Sequence, residues 1–186
     1  AQLLVRVGEH GIEARVVGDA HDAVDFGNFG KQRVGVALGQ TAGYKELLEL
    51  AECGATLCDV MGDIFDKCEG ELTMDESAVE KQMKLIKDLH DKGAEVLMSS
   101  HIVKFTPAER VLEGALEHQR RGADISKIVT GAENMEQQIE NMRIINMLKQ
   151  KLDIPFLFLT GGECRILRRM GGELGNCMYL CVHEYD

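Results

Sequence analysis

From residue 34 onward, short apolar runs alternate with longer amphipathic segments, and that rhythm limits the chain to very few folds. Residues 34–38, 55–60, 95–98, 125–129, 156–159 and 178–182 each read as a short buried strand. Between them lie helical patterns. Residues 44–53 carry Leu47, Leu48, Leu50 and Ala51. In residues 75–92 the apolar set is Val79, Met83, Ile86 and Leu89, at three- and four-residue steps. Thr106-Pro107 reads as an N-cap followed by proline at the first helical position, opening a helix through Val111, Leu112, Ala115 and Leu116 that ends near Gly122. Residues 133–151 turn Ile139, Met142, Ile145 and Leu148 inward, and residues 163–170 form a last helix.

Strands alternating with helices predict parallel β-α-β units, either an open doubly wound sheet or an α/β (β/α)8 barrel of the TIM type. A barrel typically takes about 250 residues, and this chain has 186. The six strand candidates leave a barrel two short. The missing pair must come from residues 1–33 or 60–75, or the sequence covers an incomplete barrel. The length suits one hydrophobic core, so residues 1–186 are expected to form a single domain. Residues 1–33, with Gly8, Gly11, Gly18, Gly27 and Gly30 and little helical periodicity, stay unassigned within it.

The charge balance narrows the partners. A formal charge of −10 would repel a phosphate backbone, so nucleic acid is not an expected partner. No run of about 18 apolar residues predicts a membrane helix, and residues 1–7 do not read as a secretory signal, so a cytoplasmic protein is expected. The six cysteines, at 53, 58, 68, 164, 177 and 181, form no C-x-x-C pair. They read as free buried thiols in a reducing compartment rather than metal ligands, and no metal is expected.

Parallel α/β folds collect chemistry at the C-terminal ends of their strands. That rule makes three positions interesting. Lys127 lies among Ile125, Ile128 and Val129, where desolvation favours a free amine able to attack a ketone. It would be inert if it pointed outward or snorkelled from an edge. His101, after the strand at 95–98, has the chemistry of a general acid/base, or it is a surface or capping histidine. Arg168, beyond Thr160-Gly161-Gly162, is able to fork a carboxylate, or it is one of three solvated arginines with Arg165 and Arg169.

These segments together resemble the second half of a type I 3-dehydroquinate dehydratase. The family pattern has a strand ending in Ser-x-His, then Thr-Pro opening a helix, then Gly-Ala-Asp-Ile-x-Lys, a Met-Gly-x-x-Gly-x-x-Ser-Arg loop and a Gly-Ser strand start. Here these read Ser99-Ser100-His101, Thr106-Pro107, Gly122-Ala123-Asp124-Ile125-Ser126-Lys127, residues 160–168 ending in Arg168, and Gly175-Asn176. The resemblance covers about residues 94–182.

It implies a barrel that needs no metal or organic cofactor and acts on a small carboxylate. Lys127 would form a Schiff base with the ketone of 3-dehydroquinate. His101 would remove the neighbouring proton and help water leave, giving 3-dehydroshikimate. Arg168 and Asn176 would bind substrate, Asp59 would be the acidic partner, and a homodimer is implied.

Some residues depart from the pattern. Ile102 and Val103 follow His101 where the family has Asp and an aromatic. Thr160, Cys164 and Leu167 replace the loop's Met, Gly and Ser, and Asn176 replaces a serine. The early-strand arginine and the Pro-Gly-Gln lid have no counterpart. Two other readings therefore accompany the first: a related lysine-imine lyase or aldolase acting on another small keto acid, and a non-catalytic module that binds a small acid.

Overall fold

The computed structural model describes residues 43–178 throughout and, before them, the backbone of segments 2–8, 11–17 and 35–36. Strands β1 (Gln2–Gly8) and β2 (Gly11–Val17) pair antiparallel with each other. They form a hairpin and add nothing to the main sheet, so these two strands of the opening segment are not the missing barrel strands; the rest of that segment lies outside the described residues. Residues 60–75 supply none either: after β4 they run as turns and loop to the next helix.

The main sheet is parallel and five-stranded. Its order is β3 (Gly35–Val36), β4 (Leu57–Met61), β5 (Glu95–His101), β6 (Ile125–Gly131) and β7 (Phe156–Gly161). Strands follow one another in space as they do in sequence. That order decides between the two expected architectures. A doubly wound sheet reverses direction at a switch point, which puts helices on both faces. Right-handed crossovers stepping always the same way put every helix on one face, as in the wall of a (β/α)8 barrel.

The intervening helices are α1 (Tyr44–Glu52), α2 (Glu76–Asp91), α3 (Ala108–Arg120) and α4 (Met135–Lys151), with α5 (Leu167–Leu174) after β7. Two apolar cores join this helix layer to the sheet. One packs Leu47, Leu50, Leu85, Ile86 and Leu89 against Cys58, Val60, Val96 and Met98. The other packs Val111, Ala115, Ile144, Ile145 and Leu148 against Ile128, Phe156 and Phe158. Alternation along each strand then assigns the opposite face. Leu57, Leu97 and Ile125 make an apolar floor there, with Met178 against it. No helix among the described residues is long and apolar enough to cross a membrane.

Helix starts are set by local chemistry. Asp75 caps α2 by accepting from the Ala78 N–H at 2.9 Å, and Asn134 caps α4 from the Gln137 N–H at 3.0 Å. Thr106 does not cap α3. The N-cap is Pro107, one residue later, and the free Ala108 N–H is taken by Glu140 of α4 at 3.0 Å. The last helix also begins later than its sequence pattern. Cys164 N–H bonds to the Ala132 carbonyl, and the Thr160 hydroxyl bonds to the Cys164 carbonyl. Those bonds hold residues 160–164 in a loop, so α5 spans Leu167–Leu174 and not residues 163–170. Of the strand expected at 178–182, only Met178 is described, as irregular chain; the remainder lies outside the described residues.

Several apolar residues expected inside are outside. Met83, Leu116, Ile139 and Met142 are exposed, while Gln82, His118, Gln138 and Asn141 are buried. In α4 the inward row is 138, 141, 145 and 148, and its upper half is polar. Among the described residues, Cys53, Cys58, Cys68, Cys164 and Cys177 are free thiols, and of these only Cys58 is buried. Its thiol is pushed up to about 11, first by burial and then by the neighbouring Asp59 carboxylate.

Candidate active site

The face of the sheet that no helix covers among the described residues carries the polar residues of interest. In β6, Ser126 and Ile128 point to the helices: the Ser126 hydroxyl meets His118 of α3 at 2.9 Å, and Ile128 sits in the second core. Lys127 therefore points the other way. Ser99 of β5 lies in register beside Lys127, and Asp59 lies in register beside Leu97. Their three side chains meet. Lys127 Nζ donates to Asp59 Oδ2 at 3.2 Å, and the Ser99 hydroxyl donates to Asp59 Oδ1. Ser99 also touches Met61 Sδ at 3.3 Å.

Lys127 is 7% exposed, so the outward and snorkelling alternatives do not describe it. Its setting is not purely apolar, however. The expected free amine instead faces a carboxylate in an ion pair, both side chains largely withdrawn from solvent. Isolation of a charge at this depth is costly, and the pair is what makes it tolerable.

His101 is the last residue of β5 and pairs in register with Val129. It thus shares the face of Ser99 and Lys127, two residues further toward the C-terminal end. Strand spacing and rise put its Cα roughly 8 Å diagonally from that of Lys127, a gap that a lysine and an imidazole readily span. Its partner is Glu71, from the loop between β4 and α2. Glu71 Oε2 lies 2.7 Å from His101 Nδ1 and accepts from the His101 backbone N–H at 2.9 Å. Sequence reasoning missed Glu71 and Ser99. Neither stands at a motif spacing from its partner; each contact joins residues 30 or 40 positions apart.

The other two expected substrate ligands lie elsewhere. Arg168 is exposed on α5, and its Nε donates to the Thr160 carbonyl at 3.0 Å, at the C-terminal end of β7. That anchor leaves the terminal nitrogens of the guanidinium without an ion-pair partner among the described residues. Asn176 is buried, and its amide is spent on the backbone of Phe158. Its Oδ1 accepts from the Phe158 N–H, and its Nδ2 donates to the Phe158 carbonyl, both at 2.9 Å. The side chain acts as a one-residue strand on the edge of β7. The structure does not bring it to Lys127.

Behind the site, His118 bridges two strands. Its Nε2 lies 3.0 Å from the Ser100 hydroxyl, and its Nδ1 lies 2.9 Å from the Ser126 hydroxyl. Complete burial, helped by the nearby Arg121 cation, pushes the imidazole down to about 3. A neutral histidine thus ties β5 to β6 from the helix side, directly behind Ser99 and Lys127.

This arrangement places a lysine, a carboxylate and an imidazole on one face of the sheet, with the imidazole at the C-terminal strand end where barrels carry their chemistry. The model of the type I 3-dehydroquinase family matches residues 40–180. The chain belongs to that family. A curated relative, the 3-dehydroquinate dehydratase of Lactiplantibacillus plantarum, is 25% identical over 126 residues, covering 66% of this chain and 49% of the relative. Among solved structures, the 3-dehydroquinate dehydratase of Geobacillus kaustophilus superposes with a TM-score of 0.63 at 16% identity, over 77% of this chain and 51% of that one. The type I enzyme of Clostridium difficile, solved with covalently modified comenic acid, gives 0.62 at 18% identity, over 76% and 52%. These likenesses show the fold, that of a TIM barrel of which the described sheet is a part. This dehydroquinase-family chain spans about half the length of the relatives it matches.

Proposed function

We propose that the chain performs lysine-imine chemistry on 3-dehydroquinate, converting it to 3-dehydroshikimate. The observation carrying this is the buried Lys127 amine paired with Asp59 on the helix-free face, with His101 beside it. Asp59 Oδ2 lies close enough to take a proton from the ammonium, leaving a lone pair for attack on the substrate ketone. Loss of water from the carbinolamine gives an iminium on Nζ. That cation withdraws electrons from the adjacent C–H bond, and His101 takes the proton. The resulting enamine expels the neighbouring hydroxyl, which leaves as water with the proton returned by His101. Hydrolysis of the conjugated iminium frees product and lysine. A positioned general acid/base contributes on the order of 10²–10⁴-fold to such a step.

Arg168 serves as the substrate carboxylate clamp in this reading, since beyond its Nε anchor its other guanidinium nitrogens have no ion-pair partner among the described residues and suit a bidentate pair. The reading needs no metal or organic cofactor, and it carries with it a cytoplasmic homodimer. Asn176 favours a second reading. With its amide already committed to Phe158, a substrate contact is missing, which suits a different small keto acid. The test is formation of the conjugated product, followed by its ultraviolet absorbance, in wild type and Lys127→Ala. Turnover of 3-dehydroquinate by wild type and none by the variant supports the first reading. Normal turnover by Lys127→Ala overturns it.

A further inference from the structure

The first two turns of α4 bury amides and expose apolar side chains. Gln138 and Asn141 are 6% and 0% exposed, while Ile139 and Met142, each one residue further on, face solvent. Such an exchange is unfavourable unless the amides find hydrogen bonds inside. Their own protein does not supply them. Gln138 Oε1 and Nε2, Asn141 Oδ1 and Nδ2, and the Thr130 hydroxyl are buried without a hydrogen-bond partner among the described residues. These are five of the six such side-chain atoms there; the sixth belongs to Thr56, just before β4. Buried polar groups are nearly always paired, so a cluster of unpaired ones has a cause.

The three side chains gather in one place. Thr130 follows Ser126 and Ile128 on the helix side of β6. Ile128 and Ile145 of α4 share the second core. Toward the C-terminal strand end, Thr130 stands two residues above Ile128, about 7 Å. The helix runs antiparallel to the strand, so Asn141 stands one turn above Ile145, about 6 Å. Gln138 comes next in the same inward row. Only residues 132–134 link β6 to α4, which keeps these turns over the strand they follow. Thr160 of β7 is the neighbour of Thr130 in register, and its hydroxyl already donates to the Cys164 carbonyl at 3.0 Å.

We infer that Thr130, Gln138 and Asn141 form a buried hydration site, in which bound water bridges β6 to α4. The chemistry of the atoms selects water. Each amide brings an unused acceptor and unused donors. A cation satisfies oxygens alone and an anion N–H groups alone, whereas water does both. The charges of these turns are engaged elsewhere: Glu136 is exposed, and Glu140 pairs with Arg143 and accepts from the Ala108 N–H. No group of His, Cys, Asp and Glu able to hold a metal ion occurs among the described residues. A buried water makes about three hydrogen bonds, so these atoms suit about two waters. The site lies on the helix side of the sheet, away from Lys127, and is independent of the function proposed above.

Side-chain amide NMR on the ¹⁵N-labelled full chain tests the inference. The NH₂ protons of Gln138 and Asn141 should give cross-peaks to water with the sign of a bound molecule. Water ¹⁷O relaxation dispersion should detect long-lived water in the wild type. That dispersion should lose amplitude or shift to faster exchange in Asn141→Leu and in Thr130→Val, which keep side-chain shape while removing hydrogen-bonding atoms. Thr130→Val preserves the β-branched side chain that a strand favours, so it carries the test if Asn141→Leu fails to fold. A through-bond coupling showing Gln138 and Asn141 hydrogen-bonded to each other, with no water cross-peak, overturns the inference. Dispersion unchanged in amplitude and rate in the folded variants overturns it too.

Discussion

At the scale of residues, the site turns on which charges face which. Lys127 and Asp59 share one ion pair, so removing either leaves the other without its counter-charge. Lys127→Ala should therefore abolish imine formation and also lower stability by about 1–3 kcal/mol, the cost of an unsatisfied buried group. Urea unfolding of Lys127→Ala, Asp59→Asn and the double variant checks this: the double should lose less than the sum of the singles. Lys127 and His101 stood out in the sequence through strand ends and apolar flanks, and Asp59 only through the family resemblance; the structure pairs Lys127 with Asp59. Their other partners did not stand out. Glu71 reaches His101 across 30 positions and Ser99 reaches Asp59 across 40, and no local spacing encodes either contact. Asn176 was misleading for the opposite reason: its motif position suggested a ligand, and its amide pairs with a strand backbone.

At the scale of elements, the helices were readable in place and less so in rotation. The inward row of α4 contains Gln138 and Asn141, so the apolar letters Ile139 and Met142 on the other face pointed to the wrong side. Leu148→Ala should cost about 2–5 kcal/mol as a buried large-to-small change. Ile139→Gln should stay within about 0.5 kcal/mol, as exposed positions do. Chemical denaturation of the two variants distinguishes them. Arg121 clasps α3 to the loop before α2 from a fully buried position, and Glu117, held down to about 2 by Arg120 first and then by Arg121, depends on the same cluster. Arg121→Met should destabilise by about 3–5 kcal/mol, as breaking a buried pair does.

The His118 bridge between β5 and β6 has a pH signature. Its folded-state pKa of about 3 lies below the ordinary 6.5, so the unfolded chain binds the proton more readily. Its contribution is present above pH 6.5 and is lost progressively as pH falls toward 3. Thermal melts from pH 7 to pH 5 should show a falling Tm in wild type and a flatter dependence in His118→Gln.

At the scale of the whole molecule, the strand order leaves one face of the sheet without a helix among the described residues. Five strands in sequential order send every crossover to one side, leaving Asp59, Ser99, Lys127 and His101 on the other, above the floor of Leu57, Leu97 and Ile125. The parallel α/β class was legible from the alternation of elements, and the barrel only through the family resemblance. The number of strands was not, because the opening residues form a hairpin of their own and the chain spans about half of its relatives. The central claim is that the Lys127 amine forms an imine with its substrate. Borohydride reduction in the presence of 3-dehydroquinate, followed by peptide mass mapping, tests it most directly. A reduced covalent adduct on Lys127, absent without substrate and absent from Lys127→Ala, is the result expected. An adduct on another lysine, or none while product still forms, would contradict it.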